Sequence, residues 1–156
     1  MDSGVDLDET LMRTEYDRTI GLLTTLDRPV AVGSNGGLQD PDDTFSFIGD
    51  NASKGICEVP AITFHAHPAW SEAHWDDDTD DLETLLRAAA ATWRDGAEIV
   101  EAQVKKWRLA TPRSIWPAPC WVDATGTIVL AGDAFAGPKV EGAHNSGLAA
   151  AHALLD

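Results

Sequence analysis

The sequence predicts an α+β fold: a mixed, mainly antiparallel sheet with helices, closed by a final strand, loop and helix. Most β-type segments follow one another along the chain without helices between them, which favours antiparallel pairing. One interior segment has the apolar spacing of a helix that packs on a core. Hydrophobic residues make up 44% of the 156 residues, enough to build the core of about one ordinary domain.

The N-terminal part is expected to be helical over residues 8–26. Its apolar residues recur at helical spacing: Met12, Tyr16, Ile20 and Leu23. Asp8 can cap the start of this helix, and Pro29 follows its end, where a helix does not easily continue. A short strand over residues 29–32 and a glycine-rich loop over 33–37 complete this part.

The middle of the chain alternates between strand and turn signals. Residues 44–48 alternate and are aromatic, residues 50–55 form a polar turn, and residues 59–66 are apolar and β-branched. We therefore expect two strands joined by the turn.

A helix follows an acidic loop at residues 76–81, whose carboxylates suit the positive end of a helix dipole. Its apolar stripe has helical spacing and consists of Leu82, Leu85, Leu86, Ala89 and Trp93.

Residues 99–109 alternate and predict a strand. Three prolines then predict a segment without regular secondary structure: Pro112, Pro117 and Pro119. Residues 120–130 predict a β-hairpin with its turn at Gly126.

The charge balance excludes one class of partner. Asp and Glu number 26 against 11 Lys and Arg, which gives a formal charge of −15 and a pI near 4.4. A surface this negative repels phosphate backbones, so no nucleic-acid partner is expected. Such an excess of carboxylates is typical of proteins that work in concentrated salt, which screens the repulsion. We interpret the chain as halophilic; an acidic protein from an ordinary medium is the alternative.

The location expected from the sequence is cytoplasmic, with no membrane partner. No run of about 18 apolar residues occurs, as a membrane-spanning helix would require. Residues 1–9 are acidic and lack the basic-then-apolar order of a signal peptide.

Cys57 and Cys120 belong to no CxxC pair, so neither a disulfide scaffold nor a cysteine-built zinc site is expected.

The segment over residues 129–151 has the pattern of a ligand-contacting site. A strand stops at Gly132, Asp133 follows at its carboxyl end, and a helix of small residues is expected over 142–155. The N-terminus of a helix presents free N–H groups and a positive dipole end, which suits a ligand atom that develops negative charge. The carboxylate of Asp133 can accept hydrogen bonds from the hydroxyls of a sugar or sugar alcohol.

This segment resembles the C-terminal flavin-binding motif of the amine-oxidase-like flavoproteins, and its pattern is most similar to the renalase-like subgroup. The shared motif is Gly132-Asp133, a Gly/Pro loop, then Val140-Glu141-Gly142-Ala143, Ser146-Gly147 and Ala150-Ala151. Four upstream stretches occur in matching order: residues 50–55, 61–66, 106–112 and 120–123. The resemblance covers the chain from about residue 8 onward.

The resemblance implies an FAD-dependent oxidoreductase that transfers a hydride from a small-molecule substrate, an amine or a dihydropyridine, to the flavin. The implied cofactor-binding residues are Gly132, Asp133, Lys139, Val140, Glu141, Gly142 and Ala143. Asp133 would bind the ribityl hydroxyls, and the backbone at Val140 and Glu141 would face the N1/O2 edge of the ring. Trp107 and Arg108 would lie on the substrate side. No residue is assigned as catalytic.

Two domains are implied: a substrate-type domain over residues 1–126 and the final strand, loop and helix of the FAD-binding domain over 127–156, together one compact unit. The family's GxGxxG turn, which holds the pyrophosphate, does not occur in these residues. We therefore expect FAD to bind only together with a complementary Rossmann-type chain, and otherwise self-association of this one. The chain is interpreted as one part of a split enzyme, a truncated form or a degenerate descendant.

Two alternatives remain beside this interpretation. A non-catalytic remnant or interaction module would keep the fold without the reaction. A metal-dependent enzyme would use the histidines and acids of one region, namely His65, His67, His74 and Asp76 to Asp78, although no HExxH spacing occurs; no metal ligand is assigned. A hydrolase is disfavoured, because Ser146 does not lie in a GxSxG elbow.

The halophilic interpretation predicts that the chain needs salt for stability. Repulsion among its carboxylates should loosen the fold in dilute buffer, because few cations are available to pair with them. The melting temperature should therefore rise from low to multimolar KCl. A melting temperature that does not change with KCl would contradict the interpretation.

Overall fold

A computed structural model describes Glu9, Leu11 and residues 14–155. By its internal contacts the chain forms two compact units. One is Arg18–Arg108, called here the sheet unit, and the other comprises the described residues up to Asp17 together with 109–155, called here the terminal unit. The sequence-based division at residue 126 stays a prediction. None of the helices in the described residues has the length and apolar character needed to cross a bilayer.

The architecture is α+β, as the sequence predicts, with an antiparallel five-stranded sheet. Its spatial order is β2-β3-β4-β1-β5. The strands are β1 (Tyr16–Leu26), β2 (Gly37–Gln39), β3 (Phe45–Asp50), β4 (Ala61–Ala66) and β5 (Ile99–Pro112). In the central pair, Leu22 of β1 lies opposite Phe64 of β4.

One face of this sheet carries the core of the sheet unit. Two helices and a short 3-10 helix follow β4: α1 (Pro68–Ala73), α2 (Thr79–Ala89) and the 3-10 helix Ala90–Trp93. Leu82 and Leu86 of α2 are completely buried in one cluster with Ile20, Leu22 and Phe64 of the sheet. The predicted helix is confirmed, but its stripe only in part, because Leu85 is exposed. Asp78 caps α2 by accepting a hydrogen bond from the amide of Asp80 at 2.9 Å.

The helix predicted over residues 8–26 is wrong for residues 16–26, which form β1. The even-numbered side chains of Ile20, Leu22, Thr24 and Leu26 are buried, which is the period of a strand. The apolar residues of this segment also fit the spacing of a helix. Because the segment pairs with β4, it forms a strand instead. Asp8 and Met12, the predicted cap and first apolar residue, lie outside the described residues.

Two short elements also differ from the expectation. The strand predicted over residues 29–32 is wrong, because these residues form no strand; Val32 is nevertheless buried in the core. Helix α1, not predicted, begins with Pro at its first position and is anchored by the buried Ser71, whose hydroxyl accepts a hydrogen bond from the amide of Ile20 at 2.9 Å.

The terminal unit contains a hairpin and the last helix. The predicted hairpin is confirmed as β6 (Trp121–Val122) and β7 (Val129–Leu130), which pair antiparallel. Helix α3 (Lys139–Leu155) begins three residues before the predicted start at 142. The Gly137-Pro138 dipeptide explains the earlier start, because proline is favoured at a helix entrance.

The burial pattern of α2 predicts opposite outcomes for two neighbouring leucines. Leu86 is fully buried, whereas Leu85 is 45% exposed. Leu86→Ala should lower the free energy of unfolding by about 2–5 kcal/mol, since it leaves a cavity in the core. Leu85→Ala should change it by no more than about 0.5 kcal/mol, since surface substitutions rarely do more. Denaturant unfolding at constant KCl measures both; equal losses would contradict the placement of α2.

Candidate ligand cavity

A cavity in the terminal unit collects much of the predicted cofactor site. It measures about 540 Å³ and is lined by Ala110, Thr111, Pro112, Asp133, Pro138, Lys139, Val140 and Ala143. Four of these, Asp133, Lys139, Val140 and Ala143, are predicted cofactor-binding residues. The others come from the end of β5 and from the loop before α3. Volumes of about 300–1,000 Å³ are usual for small-molecule sites.

Asp133 is held at the cavity by its neighbours in the chain. The amide of Gly132 donates a hydrogen bond to the hydroxyl of Ser146 at 2.9 Å, and Ser146 is 1% exposed. On the other side, the amide of Trp116 donates to the carbonyl of Ala134 at 2.7 Å. These bonds fix the backbone on both sides of Asp133, so its carboxylate is presented by a rigid segment.

Tyr16 supplies a direct partner for this carboxylate. Its hydroxyl donates a hydrogen bond to Oδ1 of Asp133 at 3.2 Å. Burial raises the pKa of Tyr16 above its ordinary value, and the negative charge and hydrogen bond of Asp133 raise it further. The phenol therefore remains a proton donor at neutral pH and orients the carboxylate. Chemically, Asp133 keeps acceptor capacity for ligand hydroxyls, since a carboxylate offers about four lone-pair positions.

The entrance of α3 contributes the rest of the cavity wall. Lys139 has a φ of 82° and Ala136 a φ of 58°, both in the left-handed region that non-glycine residues seldom adopt. Such strained residues concentrate at functional sites. Val140 is 87% exposed, so it offers apolar surface to a ligand beside the first N–H groups of the helix.

Three predicted cofactor residues do not line the cavity. Gly132 makes its hydrogen bond to Ser146, and Glu141 is exposed on α3. Gly142 packs against the chain itself: a Cβ built there would lie 2.6 Å from the carbonyl carbon of Gly137. The absence of a side chain at Gly142 is therefore required by the loop before α3.

The predicted substrate-side residues Trp107 and Arg108 lie in the sheet unit, on β5. Successive residues of a strand point to opposite faces, so the two side chains do not share a face. The ring of Trp107 lies over Gly21 of β1: a Cβ there would lie 3.0 Å from Cη2 of the ring. Arg108 is exposed.

Trp107 belongs to an aromatic row on the sheet face opposite the core. The ring centre of His65 lies 5.4 Å from that of Trp107 and 5.9 Å from that of Phe47. Lys54 places its Nζ 5.4 Å from the ring centre of Phe47. Burial lowers the pKa of His65 below its ordinary value, and the positive charge of Lys54 lowers it further. The row thus presents flat apolar rings and a neutral imidazole, which suits stacking of a planar or cationic molecule.

The residues of the alternative metal interpretation have separate partners. Nε2 of His67 lies 3.0 Å from the carbonyl oxygen of Asp42, Nδ1 of His74 lies 2.7 Å from Asp77, and His65 belongs to the aromatic row. Within Glu9, Leu11 and residues 14–155, no three or more His, Cys, Asp or Glu side chains gather in a group that could hold a metal ion. Each of these histidines has a structural contact.

Sequence reasoning missed two residues of the cavity region. The helical spacing places Tyr16 in a helix, and the motif that contains Ser146 gives its hydroxyl no hydrogen-bond partner. The alternation of Ile20, Leu22, Thr24 and Leu26 is the signal that would have placed Tyr16 at the start of a strand. Nothing in the sequence predicts its pairing with Asp133, 117 positions away.

Comparison with models of known protein families finds no match to this chain, and comparison with curated proteins finds none either.

The Tyr16–Asp133 contact predicts an elevated tyrosine pKa. Tyr16 is the only tyrosine of the chain, so phenolate absorbance follows this residue alone. Its pKa in the folded chain should exceed the ordinary value of about 10, and Asp133→Asn should lower it, because the nearby charge disappears. The chain unfolded in urea provides the reference. Identical pKa values in folded and unfolded chains would show that the contact does not form.

Proposed function

We propose that this chain is the C-terminal, flavin-contacting part of an FAD-dependent oxidoreductase that takes a hydride from an amine or dihydropyridine-type substrate. The observation that carries the proposal is the cavity that unites Asp133 with the entrance of α3. Strand β7 ends at Leu130, two residues before the predicted stop at Gly132, so Asp133 lies in the turn that follows the strand. Val140 and Ala143 give the cavity an apolar wall.

The residues of the cavity fit the ring and ribityl portions of a flavin. Asp133, oriented by Tyr16, would accept hydrogen bonds from the ribityl hydroxyls, and the first N–H groups of α3 would stabilise the negative charge of a reduced flavin. A bound flavin would supply hydride acceptance there, whereas this chain supplies orientation and charge. Gly142 does not add to the fit, because Gly137 packs against it.

The pyrophosphate and adenosine portions require a second component. No GxGxxG turn occurs in the sequence, and such a turn at a helix N-terminus is the usual pyrophosphate site. We propose that a complementary Rossmann-type chain provides it. Within the sheet unit, Trp107 and the neutral His65 offer a stacking surface for a planar or cationic substrate.

We further propose a cytoplasmic location. The thiols of Cys57 and Cys120 are both free, which is the state that a reducing compartment maintains.

The proposal predicts a specific pattern of flavin affinities for the chain alone. FAD, FMN and riboflavin should bind weakly and with similar affinity, because this chain contacts only the parts they share. Asp133→Ala should weaken riboflavin about tenfold to a hundredfold, since hydrogen bonds to a charged group contribute about 1.5–3 kcal/mol. Lumichrome, which has the ring system but lacks the ribityl chain, should be unaffected by the substitution. Flavin fluorescence titration measures all four ligands.

Two controls separate this outcome from general effects of substitution. Asp76→Ala removes an exposed carboxylate of the sheet unit, and His67→Ala removes one histidine of the metal alternative. Both should leave riboflavin affinity unchanged. Equal riboflavin affinity for the unmodified chain and Asp133→Ala would overturn the assignment of the cavity and favour the non-catalytic module.

A further inference from the structure

The last strand of the sheet is an open edge. In the described residues β5 lies at one end of the order β2-β3-β4-β1-β5, with β1 as its neighbour. It is 14 residues long, and Val100 is 63% exposed. A strand of this kind presents a row of N–H and C=O groups that can pair with another chain.

The charges of β5 differ from those of the whole chain. The strand contains three basic residues, Lys105, Lys106 and Arg108, against one acidic residue, Glu101, although the chain carries a net charge of −15. β5 therefore carries both signs of charge, so a second copy can pair opposite charges along this strand. Glu101 and Lys105 are both exposed and four residues apart, so they lie on one face of the strand.

We propose that β5 pairs antiparallel with β5 of a second copy about a two-fold axis at Gln103. In this register Glu101 of each copy lies opposite Lys105 of the other, so symmetry produces two pairs of opposite charge. A register centred on residue 101 would place two glutamates opposite each other, and one centred on residue 105 would place two lysines opposite each other. Like charges in directly opposed positions are destabilising, so of these three registers the charge pattern favours the one centred on Gln103. Two sheets then join into one.

The interface is tested with the full chain by sedimentation equilibrium, at the lowest KCl concentration that keeps the chain folded, because salt screens charge pairs. The unmodified chain should be a dimer. Glu101→Lys and Lys105→Glu should each weaken self-association about tenfold or more, since two attractive pairs become two repulsive ones. Lys54→Glu makes the same charge change as Lys105→Glu, but at an exposed position outside β5, and should not weaken self-association.

Mixing the two weakened variants provides the decisive outcome. In a mixed dimer, position 101 of the Glu101→Lys copy is positively charged and faces position 105 of the Lys105→Glu copy, which is negatively charged. The unchanged Lys105 of the first copy faces the unchanged Glu101 of the second, so both pairs are again attractive. The mixture should therefore form heterodimers, and the double variant Glu101→Lys with Lys105→Glu should form homodimers. A monomeric unmodified chain, a dimer indifferent to both single variants, or a mixture that stays monomeric would each overturn the proposal.

Discussion

Helix α2 packs on one face of the sheet and builds the core there, which gives the two faces of the sheet different roles. Helix α2 buries Leu82 and Leu86 against Ile20, Leu22 and Phe64, and these contacts stabilise the sheet unit. Within the sheet unit, the opposite face carries the aromatic row of Phe47, His65 and Trp107. On that face Gly21 lets Trp107 lie flat beside His65. The same architecture leaves β5 as an edge strand.

In the terminal unit, one buried hydroxyl performs the equivalent organising role. Ser146 of α3 accepts a hydrogen bond from the amide of Gly132, and this bond joins the helix to the segment that bears Asp133. Without it the half-buried N–H of Gly132 would lose this partner, and one such hydrogen bond contributes about 0.5–1.5 kcal/mol. The bond brings the carboxylate and the helix entrance to one cavity, which makes a single site of two elements that are separate in sequence.

The elements that the sequence predicted correctly are those whose signal is local and unambiguous. Helix α2, the β6–β7 hairpin and the alternation of β5 each contain their own evidence. β1 was assigned incorrectly because its apolar residues satisfy two periods at once, and only pairing with β4 excludes the helix. The Tyr16–Asp133 hydrogen bond joins residues 117 positions apart, so it follows from the tertiary structure and from no local sequence pattern. The motif containing Asp133 was visible in the sequence, but the residue that orients its carboxylate was not.

The glycines of the terminal segment show the limit of assigning a cofactor site from a sequence motif alone. A small residue at position 142 is required by the carbonyl of Gly137, whether or not a flavin binds, so this match has a structural cause within the chain itself. The same does not hold for Asp133 or Val140. An exposed apolar residue at a helix entrance and a carboxylate facing a cavity contribute no comparable packing to the fold. The proposed flavin contacts therefore depend on these two residues, and Tyr16 is the positioning partner that the fold adds to them.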